Sequence, residues 1–568
     1  MTLRLVSACA LLWSGCTCGI ALCRVDGDCA GAGTCDPSTG VCISTAGSGG
    51  GSGGGSTAAL RIRVPALPDR PAVSGAVYED VPAARRRDEV VFIWLEASRP
   101  LTGPALTVAG LDAVPAGAAA CDQPCSGNCY CFAADLAKPP LPGLRGAFAL
   151  AASGVDPDGK TITATDSINV TRLLWRRGLA LPIRATPAIG PDGTVYVGTS
   201  GGPSSRQGSL FAISPTGQER WSTPLGSIEA SVALSAPGTA PQALFVGSIG
   251  ATGLLTALDA SGAQLAQCTL AKDARLEGSA ALIPLGAAFY ASEPRELIAF
   301  RPSLSSPCAV RATSDDLKYP DSLVASSDSV FFVDDHPSVH RYDLTGLGWS
   351  EYNQSEWPGS PGSSYRNRGL AIVNGGRLVG AGALDSGGTV FQSVASGSFK
   401  FDFGFSPPRV PASASGPVVA SDGLVLVGIP TGIAAVSTDS TNLGAGDRIV
   451  NSPVLGEGGR LYALAENGAL SEWRYAGGRP VRSWTAPLEA AGPPVFEASP
   501  ALDCARSPSG APAAGRPGIL YAGARTGTLW AILVDARGID STAQWPKYQK
   551  DPRNSGRADT ALQEFACP

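Results

Sequence analysis

Histidine is nearly missing. The 568-residue chain has two, His336 and His340, which excludes metal centres built on several imidazoles and, with no Cys-x-x-Cys-His, covalent haem attachment. Lysine occurs seven times, so arginine supplies most of the 43 basic residues. Charged residues make up 16% of the chain, against about 25% in ordinary soluble domains. The 48 acidic residues outnumber the basic ones and leave a net charge of −5, so there is no basic field for nucleic acid. No run approaches the roughly 18 apolar residues of a spanning helix, and any membrane attachment is expected through lipid.

Turn formers are abundant. Gly 71 and Pro 46 together form about a fifth of the sequence, while hydrophobic residues reach 44%. That combination predicts an all-β chain with many short strands and a real core rather than wholesale disorder. At about 150 residues per domain, the length suggests two to four domains.

The first residues read as an export address. Arg4 precedes an apolar stretch, Leu5 to Trp13, followed by Ser14-Gly15-Cys16, the charge, length and small-residue exit of a signal peptide over 1–15. The exit resembles the bacterial lipobox, which implies a lipidated Cys16. Residues 16–46 hold Cys18, Cys23, Cys29, Cys35 and Cys42, read as disulfide candidates of an oxidising compartment. The stretch resembles small Cys-rich modules of bacterial surface proteins. Residues 47–57 form a Gly/Ser linker, whose coil spans roughly 15–20 Å.

Residues 58–171 turn to alternation: Leu60-x-Ile62-x-Val64, then Val90 to Leu95, Phe148 to Ala152 and Ile162 to Val170. About seven short strands between Pro and Gly turns predict a β-sandwich, which resembles bacterial immunoglobulin-like domains. Cys121, Cys125, Cys129 and Cys131 are expected to clamp one loop with two local disulfides; a metal knot is the alternative. Arg85-Arg86-Arg87 reads as a solvated loop.

From residue 172 onward the chain is repetitive. Ala185 to Gly198, ATPAIGPDGTVYVG, is followed by GSLFAISPTGQERW at Gly208 to Trp221: a small-residue-Pro strand, a Gly turn, an alternating strand, a third strand and an outer strand closing on Trp. Related units have first-strand anchors near Pro187, Val232, Ala280, Leu323, Leu370, Pro417, Pro453 and Pro500, about 36–48 residues apart. This spacing predicts an eight-bladed β-propeller of four-stranded antiparallel blades over 172–568. The last unit lacks an evident outer strand, and Thr171 to Leu179, with Trp175, is expected to supply it. Cys268 with Cys308 is expected to link neighbouring blades, and Cys504 with Cys567 to hold a tail over 536–568. The tryptophans Trp175, Trp221, Trp349, Trp473, Trp484 and Trp530 read as blade packing, and Trp545 and Tyr548 as pins that hold the tail to the propeller's underside.

The repeat, small-Pro, Gly-x-Val-Tyr-Val-Gly, Gly-x-Leu-x-Ala-Ile and Gly-x-x-x-Trp, resembles the pyrroloquinoline quinone-type β-propeller repeats. The tail from Trp545 to Gly556 is similar to a segment that accompanies them. The resemblance implies one of two kinds of protein: a quinone-dependent periplasmic dehydrogenase, or a non-catalytic lipoprotein such as BamB, a scaffold in outer-membrane protein assembly. The dehydrogenases grip the quinone with a disulfide between adjacent cysteines, a tryptophan, Ca²⁺ and an Asp base. No two cysteines are adjacent here, and the acids Asp259, Asp334, Asp335 and Asp422 match no such role. Asp334, Asp335, His336 and His340 read as a polar strand–loop junction rather than a metal site. The expectation is therefore a non-enzymatic, cofactor-free and monomeric lipoprotein of the bacterial envelope, anchored to the outer membrane and binding envelope proteins. A quinoprotein dehydrogenase, a hydrolase and a surface polysaccharide-binding protein are the alternatives.

Overall fold

The computed structural model describes residues 33–36, 41–44 and most of 58–568; outside it lie 1–32, 45–57, 68–75, 78–83, 122–126, 314–322, 334–338, 353–365, 393–414, 489–495 and shorter gaps. The chain divides into two compact units, Met1–Ala58 and Ala59–Pro568. In the first, Gly33–Asp36 pairs antiparallel with Val41–Ser44. Residues 1–15, which the sequence reads as a signal peptide, and Cys16, Cys18, Cys23, Cys29 and Cys125 fall outside the described residues, as do the side chains of Cys35 and Cys42. Among the described residues no helix is long and apolar enough to cross a membrane.

The second unit begins with nine strands in two sheets. One holds Leu60–Arg63, Val90–Ala97, Asn128–Asp135 and Val114–Ala116; the other holds Ala84–Arg86, Thr161–Thr171, Arg145–Val155, Thr102–Val108 and Leu111–Asp112. Alternation sends Val91, Ile93 and Leu95 inward from the first sheet to meet Leu106, Phe148, Leu150 and Ile168 from the second in one core, as a period of two requires. Cys121 is bonded to Cys131, and Cys129 is also disulfide-bonded. Arg85-Arg86-Arg87 is not a solvated loop: it ends a strand that pairs in parallel with Asn169–Thr171, and Arg85 and Arg87 are buried.

Among the described residues eight further sheets follow in chain order and form a β-propeller. Seven inner strands begin at the residue after their sequence anchor, as Ala188–Ile189 does after Pro187 and Ala501–Asp503 after Pro500. The fifth sheet shows three strands among the described residues, Arg366–Val373, Arg377–Leu384 and Gly387–Gln392. Leu173–Gly178 pairs antiparallel with Thr528–Leu533, so the segment before the first repeat completes the last sheet and joins the two ends of the ring. Ala76–Val77 adds a fifth strand there, against Arg176 and Arg177, which the sequence reading did not anticipate. Cys268–Cys308 bonds the outer strands of the second and third sheets, and Cys504–Cys567 ties the tail to the eighth.

Two side-chain devices repeat between sheets and account for the sequence motif. The first uses the hydroxyl before the anchor residue: Thr186 N donates to Ser231 Oγ at 2.9 Å, Ser231 N to Ser279 Oγ at 2.8 Å, Ser452 N to Ser499 Oγ at 3.0 Å, and Ser499 N to Thr186 Oγ1 at 3.0 Å. Each buried amide is satisfied by the next sheet, and the last of these bonds links the eighth sheet to the first. Leaving such an amide unpaired costs about 1–3 kcal/mol. The second device is the outer-strand tryptophan. Trp175 Nε1 donates to Pro215 O at 2.7 Å, and Trp221 Nε1 to Ala260 O at 2.9 Å, each in the turn of the following sheet.

Gly262 in that turn has φ +86°, and a Cβ there would lie 2.8 Å from Trp221 Cδ2. Gly159 has φ +77° with nothing within 4 Å. Gly262→Ala is therefore expected to cost more than Gly159→Ala: roughly 2–4 kcal/mol against about 1, since the second pays only for backbone strain. Urea unfolding followed by tryptophan fluorescence measures both.

Candidate functional site

Apart from Arg366–Val373 in the fifth sheet, the innermost strands are two or three residues long, and those of six sheets have an amide that pairs outside their own sheet. The C-terminal segment supplies the acceptors. Pro552 O accepts from Ile189 N at 2.7 Å, Arg553 O from Leu234 N at 2.9 Å, Ser555 O from Leu282 N at 2.9 Å and Gly556 O from Ala325 N at 2.7 Å, one for each of the first four sheets. Gln544 Oε1 accepts from Asn374 N of the fifth at 3.0 Å. Trp545 exchanges two bonds with Val419 of the sixth, and Pro546 O accepts from Leu455 N of the seventh at 2.7 Å. Trp545, fully buried among propeller core residues, and Tyr548, whose hydroxyl lies 3.0 Å from Ser279 Oγ, both engage the propeller, and inner strands bind the segment's backbone as well, because unpaired strand edges demand partners.

Polar side chains of the segment are buried with it. Asn554 Nδ2 donates to the carbonyls of Thr186 and Val232, each at 3.1 Å, and of Pro187 at 3.3 Å. Lys547, fully buried, donates to Tyr548 O at 2.7 Å, Asp551 O at 3.1 Å and Asn554 Oδ1. Burial pushes the Lys547 ammonium down to about 7, against the pull of Asp551. Burial likewise brings Lys550, 5.3 Å above the Trp545 ring, down to about 8.

The residues expected of a quinone site are not brought together. The propeller disulfides join cysteines 40 and 63 positions apart. Asp259 closes a turn by accepting from Ser261 N at 2.8 Å and Ala263 N at 3.0 Å, and Asp422 accepts from Leu424 N at 3.0 Å in the same way. His340 is buried with its ring stacked on Phe332 at 4.9 Å; Asp334, Asp335 and His336 lie outside the described residues. Among the described residues no three His, Cys, Asp or Glu side chains gather as metal ligands would. Among the described residues the groups present therefore do not fit a quinone with its Ca²⁺. Trp175, Trp473, Trp484 and Trp530 are buried, and the Trp349 side chain is outside the description.

A polar cluster that the sequence reading missed joins the two-sheet module to the ring. Arg172, the single residue between Thr161–Thr171 and Leu173–Gly178, is fully buried. It donates to Leu141 O at 2.7 Å and Gly143 O at 3.0 Å on one side, and to both Asp535 oxygens at 2.9 Å on the other. Arg87 adds contacts to Asp535 Oδ1 at 2.8 Å and Pro139 O at 2.6 Å. Burial would raise the Asp535 carboxyl, but Arg172, then Arg87 and Arg460, hold it down to about 2. The guanidinium of Arg172 lies 4.7 Å over the Trp484 ring. Beside this cluster opens a cleft of about 410 Å³ between the module and the seventh and eighth sheets.

Lys547 generates a pH prediction. Its folded-state value near 7 lies below the ordinary 10.5, so the unfolded chain binds the proton more tightly, and stability from this group rises as pH climbs from about 7 towards 10. The melting temperature of the native chain minus that of Lys547→Met is expected to increase over that window; a difference flat with pH, measured by calorimetry, would contradict it.

Residues 158–306 match the family described as "Outer membrane protein assembly factor BamB", about a quarter of the chain, reaching from the end of the two-sheet module into the third propeller sheet, short of its outer strand Cys308–Thr313. No curated protein matches the sequence. Solved structures that resemble it include Sqt1 of Saccharomyces cerevisiae, 10% identical over 63% of this chain and 98% of that one with a TM-score of 0.47. BamB of Moraxella catarrhalis is 14% identical over 63% and 96%, with a TM-score of 0.43. The C-terminal WD40 domain of Sif2 is 10% identical over 63% and 98%, with a TM-score of 0.45. The chain is thus a β-propeller protein with pyrroloquinoline quinone-like repeats, and over residues 158–306 it is similar to the family of the assembly factor BamB.

Proposed function

We propose that this chain is an exported, lipid-anchored envelope protein that binds other envelope proteins as an assembly scaffold, with no catalytic site of its own. In this reading Cys16 carries the lipid, residues 16–46 and the Gly/Ser linker form a tether, the two-sheet module is immunoglobulin-like, and the eight sheets act as the blades of one rigid monomeric ring. The carrying observation is the occupation of the ring's inner edge by the chain's own C-terminal segment. A propeller whose inner strands are already satisfied presents its peripheral loops and clefts as its available surfaces, and loops on a rigid scaffold are where binding specificity resides. The turn-closing roles of Asp259 and Asp422 add support, as does the similarity of residues 158–306 to an assembly-factor family.

Two measurements test this. In the native host, Cys16→Ser is expected to move the protein from the membrane to the soluble fraction, with acyl mass at Cys16 in the parent. Titration with pyrroloquinoline quinone and Ca²⁺ is expected to give no stoichiometric absorbance change and no dye reduction with alcohols or sugars. Stoichiometric quinone uptake with turnover overturns the scaffold; an unchanged membrane fraction for Cys16→Ser overturns the anchor.

A further inference from the structure

The cleft beside Arg172 has a charge pattern unlike the rest of the chain. Six cationic side chains line it, those of Arg87, Lys138, Arg460, Arg474, Arg516 and Arg537, against two acids, Glu472 and Asp535. This occurs in a protein of net charge −5 with 43 basic residues in all. The acids are committed inward: Glu472, 1% exposed, accepts from Arg460 at 2.7 Å and from Trp484 Nε1 at 3.1 Å, and Asp535 is held by Arg172 and Arg87. Of the cations, Lys138, Arg474 and Arg537 face outward, whereas Arg87 is buried against Asp535, Arg460 is held by Glu472, and Arg474 also reaches Glu472 at 3.5 Å. The Arg474 and Arg537 side chains are 46% and 50% exposed. Arg537 pairs with Glu457 at the surface at 2.8 Å, and Arg516 donates to a backbone oxygen, that of Asp88, at 2.8 Å. The walls between them are apolar, from Pro140, Leu141, Pro517 and the edge of Trp484.

From this we infer that the cleft is a docking site for an acidic peptide segment of a partner protein, one that carries two or more carboxylates beside an apolar side chain. Planar guanidinium groups pair with carboxylates in bidentate fashion, and arginine with tryptophan forms the usual anchors of protein interfaces. A volume of about 410 Å³ holds a few side chains rather than a folded domain. The walls belong to both the two-sheet module and the ring, so the site exists only while the Arg172–Asp535 contact holds them together. The inference rests on the scaffold reading and names the partner chemistry at one place on it.

The test uses the labelled full-length chain on an immobilised array of random ten-residue peptides. Binders are expected to be enriched in Asp and Glu next to apolar residues, to weaken with added salt, and to lose at least tenfold in affinity for the Arg474→Glu/Arg537→Glu variant. Both positions are exposed, and unchanged thermal melting verifies folding. Arg448→Glu, 58% exposed and paired with Glu466, is expected to bind like the parent. Binders without acidic enrichment, or binding indifferent to the double reversal, overturn the inference. Equal competition by inorganic phosphate or citrate overturns it in favour of a small-anion site. An envelope partner cross-linked equally to parent and variant overturns the cleft while leaving the scaffold standing.

Discussion

An unsatisfied strand edge is expensive, and the inner strands of six propeller sheets rely on the C-terminal segment for a backbone partner. The C-terminal segment relieves that constraint, with the carbonyls of Pro552, Arg553, Ser555 and Gly556 accepting from the inner strands of the first four. Much else follows from the choice. Once the segment is placed there, its polar side chains are buried and need partners, which is why Lys547 has three acceptors and Asn554 spans carbonyls of two sheets. Its end is then fastened by the Cys504–Cys567 bond, which in the chain-entropy view of a loop this long is worth about 4 kcal/mol.

The ring also has to hold its neighbour. A buried carboxylate facing two arginines is poor as a pure source of stability, since desolvation offsets most of the attraction. Its value here is geometric. Arg172 reaches carbonyls of the two-sheet module and the carboxylate of Asp535 at once, so the orientation of module to ring is specified by hydrogen bonds that have few alternatives. The cationic cleft is a by-product of that geometry: with Arg87 and Arg172 turned inward to Asp535, the Arg474 and Arg537 guanidinium groups are left facing water.

The repeat was legible because blade packing imposes local requirements. Small hydroxyl residues precede Pro187 and Pro500 because their oxygens receive the amide of the preceding sheet, and tryptophan recurs in outer strands, as Trp175 and Trp221, because its ring nitrogen donates to a turn next door. The strand before the first repeat was legible too, from Trp175. Arg85-Arg86-Arg87 misled, because three adjacent charges look solvated when the partner that buries Arg87, Asp535, lies 448 residues away. Arg172 gave no signal at all for the same reason.

The amino-acid sequence by itself therefore determined the all-β class, the repeat period and the residues at which sheets engage their neighbours, since each depends on turn chemistry and alternation within some forty residues. Only the tertiary structure decided where the tail runs, which acids are spent on turns, and which arginines meet at the junction. Those outcomes depend on contacts between positions hundreds of residues apart, and no local pattern encodes which distant backbone amide or carboxylate will arrive.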